Sequence, residues 1–382
     1  MRLAIVGCGY VADFYLKTLP LHPELTLAGV MDRDQARASK FSEFHSTRRY
    51  GSLEEVLKDR SVDLVANLTN PSSHYSVSKA CLEAGKHVYS EKPLAMEIGQ
   101  AKELVDLAAR RGLYLSSAPC SLLGETAQTL WKALRANVVG QVRLVYAEMD
   151  DGMVHRMPYR KWISDSGAPW PAKDEFEVGC TLEHAGYYLA WLPAFFGPAK
   201  SVTAFASCLI LDKQTDEPLE RVSPDFSVAC IEFASGVVTR LTCSIIAPHD
   251  HSLRIIGDEG VLSIKDCWDY RAPVYTRRML SIRRRVMMSP WKSRYPLVDA
   301  RQPRAGRRGM PKMDFCRGIA EMAQAIGSRR PCRLSADYCL HVNEMVLAIQ
   351  NAVGGGGPYQ MATRFEPVQP MRWATEQAIG GH

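Results

Sequence analysis

The stretch Thr181 to Trp191, TLEHAGYYLAW, puts a carboxylate, an imidazole and two phenols within six residues. Glu183, His184 and Tyr187 could each give or take a proton if held within hydrogen-bond reach of a reacting oxygen. Read alone, the stretch is either a proton-handling face or the packed inside of an ordinary helix; Tyr188 and Trp191, aromatics at helical spacing, read as core. Near the other end of the chain, VGCGYVA offers Gly7, Gly9 and a small Ala12 in the pattern G-x-G-x-x-G/A, with Tyr10 and Val11 between them. Gly7 permits a tight turn, Gly9 lets a pyrophosphate approach the backbone, and Ala12 lets helix and strand pack closely. Asp32 follows Gly9 by 23 residues, near the spacing of a carboxylate that bonds the adenosine ribose. It favours NAD, because a carboxylate repels a 2′-phosphate; the neighbouring Arg33 could hold that phosphate, which keeps NADP open.

The elements that must position these groups are legible as alternation. LAIVG, TLAGVMD, VDLVANLT, KHVYSEKP and LYLSSAP read as strands, each followed by helical periodicity, to about residue 118. That alternation predicts βαβ units and a doubly wound parallel sheet, an α/β class. Thr69, Asn70 and His74 follow the third strand, at the carboxyl edge where a dinucleotide lies, although His74 could equally cap the next helix. Beyond a helix at 125–136 the pattern changes to VRLVYAEMD, SVTAFASCLIL, SVACIEFASG, VVTRLTCSII, SLRIIGDEG and VLSIKD. These β-branched and apolar runs predict a second α/β domain with a large, mostly antiparallel open sheet. One long helix, 181–196, interrupts it, and two late helices, 313–328 and 336–352, pack back on the body. The expected division is 1–118, 119–353 and a tail at 354–382.

A chain of 382 residues, 46% hydrophobic and 23% charged, is that of a globular protein with more than one core. Its eleven cysteines are scattered without a CxxC pair, which predicts reduced thiols in a cytoplasmic protein. The opening MRLAIVG enters a strand directly, so no secretory signal is expected, and no apolar run is long enough to span a bilayer. Net charge is +6, yet 277–308 alone carries +10. The rest is mildly acidic, which excludes a broad nucleic-acid surface and leaves one basic segment: a solvated, mobile insertion or a cover for an anionic substrate.

The glycine motif, TNPSSH (69–74), AGKHV (84–88) and SEKP (90–93) together resemble the glucose–fructose oxidoreductase and inositol dehydrogenase family, Gfo/Idh/MocA. The resemblance implies an NAD(P)-binding Rossmann domain, a second domain whose open sheet often forms an oligomer interface (dimer or tetramer), and a cleft for a sugar, cyclitol, polyol or ketone. It places Glu91 with the cofactor and Lys92 beside both nicotinamide and substrate, where an ammonium could orient a carbonyl oxygen and lower the pKa of a nearby acid. The family's D-x-G-x-H pattern, registered on the helix end at Phe195–Gly197, falls on Glu183, Ala185 and Tyr187. The carboxylate is kept; a tyrosine stands where the histidine is usual. Three readings follow. Tyr187 is the acid/base, or an irregular helix start turns His184 into the cleft instead, or the donor is lost and the protein binds a sugar without turnover.

The loop 160–179 carries Lys161, Trp162, Trp170 and Lys173 and could wall a sugar site, the indoles stacking on a ring and Lys161 holding hydroxyls. His249 and His251 have the spacing that puts two imidazoles on one strand face. No third ligand is identifiable in the sequence, so no metal is expected and a polar loop is the simpler reading. The expectation is thus a hydride-transferring NAD(P) oxidoreductase acting on a sugar-like molecule, neutral, phosphorylated or nucleotide-linked. The alternative is a cofactor- and sugar-binding regulatory protein.

Overall fold

The structure, a computed structural model, describes residues 1–298, 310–352 and 357–375. β1 (Arg2–Val6), β2 (Thr26–Met31), β3 (Leu64–Asn67), β4 (His87–Ser90) and β5 (Leu115–Ser117) form a parallel sheet in the order β2-β1-β3-β4-β5. Their residues are buried on both faces, the burial that parallel strands covered by crossover helices require. Strand order reverses between β1 and β3, which opens a crevice beyond their carboxyl ends. Gly7 turns the chain there at φ +102°; an added Cβ would lie 2.4 Å from the Leu68 carbonyl oxygen, so only glycine fits. Helix Arg317–Gly327 returns to this sheet, burying Ile319 and Met322 with Leu3, Ile5 and Leu64.

The second sheet has ten strands: β6 (Val142–Asp150), β7 (Ala199–Ser207), β8 (Phe226–Phe233), β9 (Val238–Ser244), β10 (Leu253–Gly257), β11 (Gly260–Ile264), β12 (Val274–Ile282), β13 (Arg285–Met288), β14 (Ser293–Tyr295) and β15 (Tyr359–Gln360). Their order is β13-β12-β11-β10-β6-β9-β8-β7-β15, with β14 also on β12. Every pairing is antiparallel except β6 with β9. Helix Ala336–Gln350 packs between the two sheets, against the helix Ile98–Arg111 and against β7. No helix among the described residues is long and apolar enough to cross a membrane.

Several sequence expectations change here. The strand expected over 201–211 stops at Ser207. Asp225, paired with Lys213 at 2.7 Å, accepts the backbone N–H groups of Leu209 and Ile210 and draws the chain out of the sheet. The loop 160–179 contains a helix, Ala172–Val178. The basic segment is not a loose insertion where it is described: residues 277–295 build β12, β13 and β14 at the sheet's far edge. Asp299, Arg301, Arg304, Arg307 and Arg308 lie outside the described residues, as do Gly354–Gly356 of the glycine run. The tail after that run is packed, with β15 on β7 and Thr363 bonded to Glu344.

The single helix expected over 181–196 is three pieces: a π turn at Thr181–Ala185, an α turn at Gly186–Leu189 and a short helix at Leu192–Phe196 that carries Pro193 in its first turn. A π turn closes its hydrogen bonds one residue wider than an α turn and changes where successive side chains point.

Candidate active site

A cleft of about 1150 Å³ runs between the carboxyl edge of the parallel sheet and the second sheet's helices. Gly7, Gly9, Tyr10, Val11, Asp32, Arg33, Thr69, Asn70 and His74 line one wall. Ala12 is fully buried at the start of the helix Ala12–Thr18, behind that wall. A Cβ on Gly9 would meet nothing within 4 Å, so its backbone is bare toward the cleft. Asp32 is held at the crevice mouth by the N–H groups of Cys8 and Asp34, both at 2.8 Å. His74 is fully buried, its ring nitrogens 2.7 and 2.9 Å from the carbonyl oxygens of Pro93 and Thr69. It thereby ties the loop after β3 to the turn that presents Lys92. Glu91 fixes the same turn from the other side, accepting from the Tyr15 hydroxyl at 2.7 Å and the Lys92 N–H at 3.0 Å.

Across from this wall stand Glu183, His184 and Tyr187, all lining the cleft with Lys92. The Lys92 ammonium donates to Glu183 and so joins the two halves of the molecule. Burial opposes its charge, but the Glu183 carboxylate, with Tyr187 and Glu91 beyond it, holds the ammonium above its usual pKa. Burial raises the Glu183 carboxyl. His184 Nε2 lies 2.6 Å from Glu175 Oε1 and 3.8 Å from Asp151. Burial disfavours the imidazolium, yet those two carboxylates lift His184 to about 9. Tyr187 packs edge-on against Trp268 at 5.4 Å, and its hydroxyl makes no hydrogen bond among the described residues. Burial raises its pKa, against the pull of Lys92. Both the tyrosine and the histidine thus reach the cleft.

The third wall is the loop before the helix Ala172–Val178. Trp162 and Trp170 line the cleft with ring centroids 5.1 Å apart. The loop is pinned to the glycine-motif helix by Ser166, which donates to Asp13 at 2.8 Å, and by Lys17–Asp165 at 2.7 Å. Lys161 does not join it. With Tyr159 and the indoles turned inward, Lys161 is left exposed outside the cleft. Lys173 also lies outside the cleft, half-exposed and paired with Glu220 at 2.8 Å. The basic strands β12 to β14 contribute nothing to the lining.

Residues 1–118 match the family model described as Gfo/Idh/MocA oxidoreductase family, NAD-binding Rossmann fold, and residues 127–263 match that of the family's C-terminal domain. The chain belongs to the Gfo/Idh/MocA family. It is 27% identical over 268 residues to a trans-1,2-dihydrobenzene-1,2-diol dehydrogenase of Danio rerio, covering 69% of this chain and 74% of that protein. The human protein of the same name is 26% identical over 274 residues, with 70% and 75% covered. Among solved structures, a UDP-N-acetylglucosamine 3-dehydrogenase from Acidithiobacillus ferrooxidans superposes with TM-score 0.69 at 21% identity, covering 92% and 97% of the two chains. A 3-ketoreductase from Actinomadura kijaniata in complex with NADP and TDP-benzene gives 0.70 at 20%, with 92% and 98% covered. The chain is therefore an NAD(P)-dependent oxidoreductase of this family, with the family's fold.

This Gfo/Idh/MocA protein suits a dinucleotide on its own geometry: a bare Gly9 backbone, a fixed Asp32 carboxylate and the amide-bearing loop at Thr69–Asn70 lie along one wall. Sequence reasoning missed several residues of the cleft, Arg37, Glu175, Asp151 and Trp268 among them. Arg37 lies 3.7 Å from Asp32, and its signal was available, since it is on the cofactor side one helical turn beyond Arg33. Glu175, Asp151 and Trp268 carry no local motif; only the folded chain brings them to His184 and Tyr187.

Proposed function

We propose that this protein moves a hydride between NAD(P) and the carbinol or carbonyl carbon of a ring-shaped polyol, a sugar, a cyclitol or their keto forms, with Lys92 and Tyr187 managing the proton. The observation that carries the reading is the Lys92–Glu183 pair, which sets a charged ammonium from the dinucleotide half against the proton carriers of the second half. When bound, nicotinamide supplies the hydride acceptor or donor. The chain's own groups do the rest. Lys92, kept charged by Glu183, orients the substrate oxygen and stabilises negative charge on it. Tyr187, whose hydroxyl is free of other hydrogen bonds among the described residues, exchanges the proton. The indoles of Trp162 and Trp170 offer flat apolar faces to a ring.

The relatives support a ring alcohol: one is named for a ring diol, another is named a UDP-N-acetylglucosamine 3-dehydrogenase, and a third a 3-ketoreductase. A nucleotide-linked substrate is therefore included, and both cofactors, because Asp32 favours NAD whereas Arg33 and Arg37 flank it with positive charge. A second reading gives the proton to His184, supported by its buried Nδ1, which has no hydrogen-bond partner among the described residues. Eleven free cysteines support a cytoplasmic setting. Exposed Leu144 and Phe205 on the outward face of the large sheet support a homo-oligomer, dimer or tetramer.

The test is a rate survey of inositols, free and nucleotide-linked sugars and ring diols with NAD and NADP. On the best substrate, Lys92→Ala should lower kcat by about 10²–10⁴ while dinucleotide binding, followed by fluorescence, persists. An Ala variant at the parental rate overturns the proposal. Tyr187→Phe and His184→Ala then decide the acid/base: whichever loses more kcat holds the role.

A further inference from the structure

Asp150 and Asp250 exchange backbone hydrogen bonds at 3.0 and 2.9 Å, an isolated antiparallel bridge at the carboxyl end of β6. In such a bridge, directly opposed residues share a face, and neighbours alternate. Asp151 therefore comes to the same side as His249 and His251. Their ligand atoms all lie within 4.8 Å of one another. His251 Nε2 is 3.6 Å from Asp151 Oδ1, close to the separation of two ligands that each sit about 2.1 Å from one tetrahedral ion.

The second, independent observation is the state of His251. Its ring is fully buried, and among the described residues neither nitrogen has a partner within hydrogen-bond distance. Unpaired polar atoms in that setting call for an explanation, and a cation is one. On the far side of the ring, Asp266 Oδ1 lies 3.8 Å from Nδ1. A carboxylate behind one ring nitrogen leaves the other aimed at the ion, the usual support of a metal-bound histidine. The loop is anchored by the Tyr188 hydroxyl, which donates to the His251 carbonyl.

We propose that Asp151, His249 and His251 form a divalent metal site, of the kind zinc prefers, at the substrate end of the cleft. Asp151, His249 and Asp266 line the cleft, so the open coordination position faces it and would take a hydroxyl or carbonyl oxygen of a ligand. Two imidazoles and a carboxylate with a position left open match zinc sites that also hold an exchangeable oxygen.

The test is metal binding, read without substrate or cofactor, so its outcome is separate from that of the proposed reaction. Chelator-treated full-length protein is titrated with Zn²⁺ by calorimetry and with Co²⁺ by visible absorption. One equivalent should bind, with a cobalt spectrum of nitrogen and oxygen ligands. His249→Ala, at an exposed position that folding tolerates, should weaken binding at least tenfold, as should Asp151→Asn. Asp266→Asn should weaken it by about 10–100-fold. Absence of a stoichiometric site, thiolate absorption in the cobalt form, or unchanged affinity in His249→Ala overturns the assignment.

Discussion

Two facing walls of the cleft are built by different physics. On the dinucleotide wall the requirements fall on the backbone: Gly7 is confined by the Leu68 carbonyl, Gly9 is left bare, and Asp32 is fixed by two amides within a short span. On the opposite wall they fall on side chains drawn from distant segments. His184 owes its state to Glu175 and Asp151, and Lys92 owes its charge to Glu183. A backbone-built wall tolerates exchange of its side chains but not of its glycines. A wall built from charges responds to pH and to the loss of one partner.

The glycines give the sharpest way to break that contrast, and the largest effect. At Gly7 both the φ of +102° and the backbone carbonyl 2.4 Å from an added Cβ oppose alanine. Gly7→Ala should cost roughly 3 kcal/mol or more of folding stability, seen as a lower urea midpoint. Gly9→Ala, with open space at its Cβ, should keep stability within about 0.5 kcal/mol and instead weaken dinucleotide binding at least tenfold. Equal destabilisation by both would mean that the two glycines do the same work.

The same contrast explains what the amino-acid order disclosed. G-x-G-x-x-A, Asp32 and the strand alternation were legible because each depends on neighbours a few residues away. Both sheets were legible for that reason, apart from β12 to β15, where charged and tail residues hide the strand pattern. The π turn at Thr181–Ala185 was legible only as one alternative, an irregular helix start that turns His184 to the cleft; the fold brings both His184 and Tyr187 there. Lys161 was assigned to the sugar wall by its chemistry, yet the adjacent tryptophans took the inward direction. Glu175 was invisible as a partner because His184 lies across a turn from it, and nothing in EFEVG marks a carboxylate aimed at an imidazole.

The charged wall is tested by pH. His184 is raised from 6.5 to about 9, chiefly against burial by Glu175 and then Asp151. A folded pKa above the unfolded one means the contribution is complete below pH 6.5 and is lost as pH climbs through 9. At most it is on the order of 3 kcal/mol. Thermal stability of the wild type should therefore fall between pH 6.5 and 9, and Glu175→Gln should flatten that slope while lowering stability at neutral pH. An unchanged slope would show that Glu175 does not hold the imidazolium.

The smallest effect sharpens the dinucleotide wall, where one feature is electrostatic after all. Arg37 is half-exposed and lies 3.7 Å from Asp32, and Arg33 lines the same edge. Asp32 discourages a 2′-phosphate, whereas two guanidiniums beside it attract one, and a guanidinium can meet a phosphate with two parallel hydrogen bonds. Solvent screening limits such a contact to about 1 kcal/mol, severalfold in affinity. Arg37→Ala should thus raise KM for NADPH severalfold and leave KM for NADH nearly unchanged, with the difference shrinking as salt is added. If both cofactors weaken alike, Arg37 serves to place Asp32 and not to read the phosphate, and the ribose end of this wall is set by backbone geometry as the pyrophosphate end is.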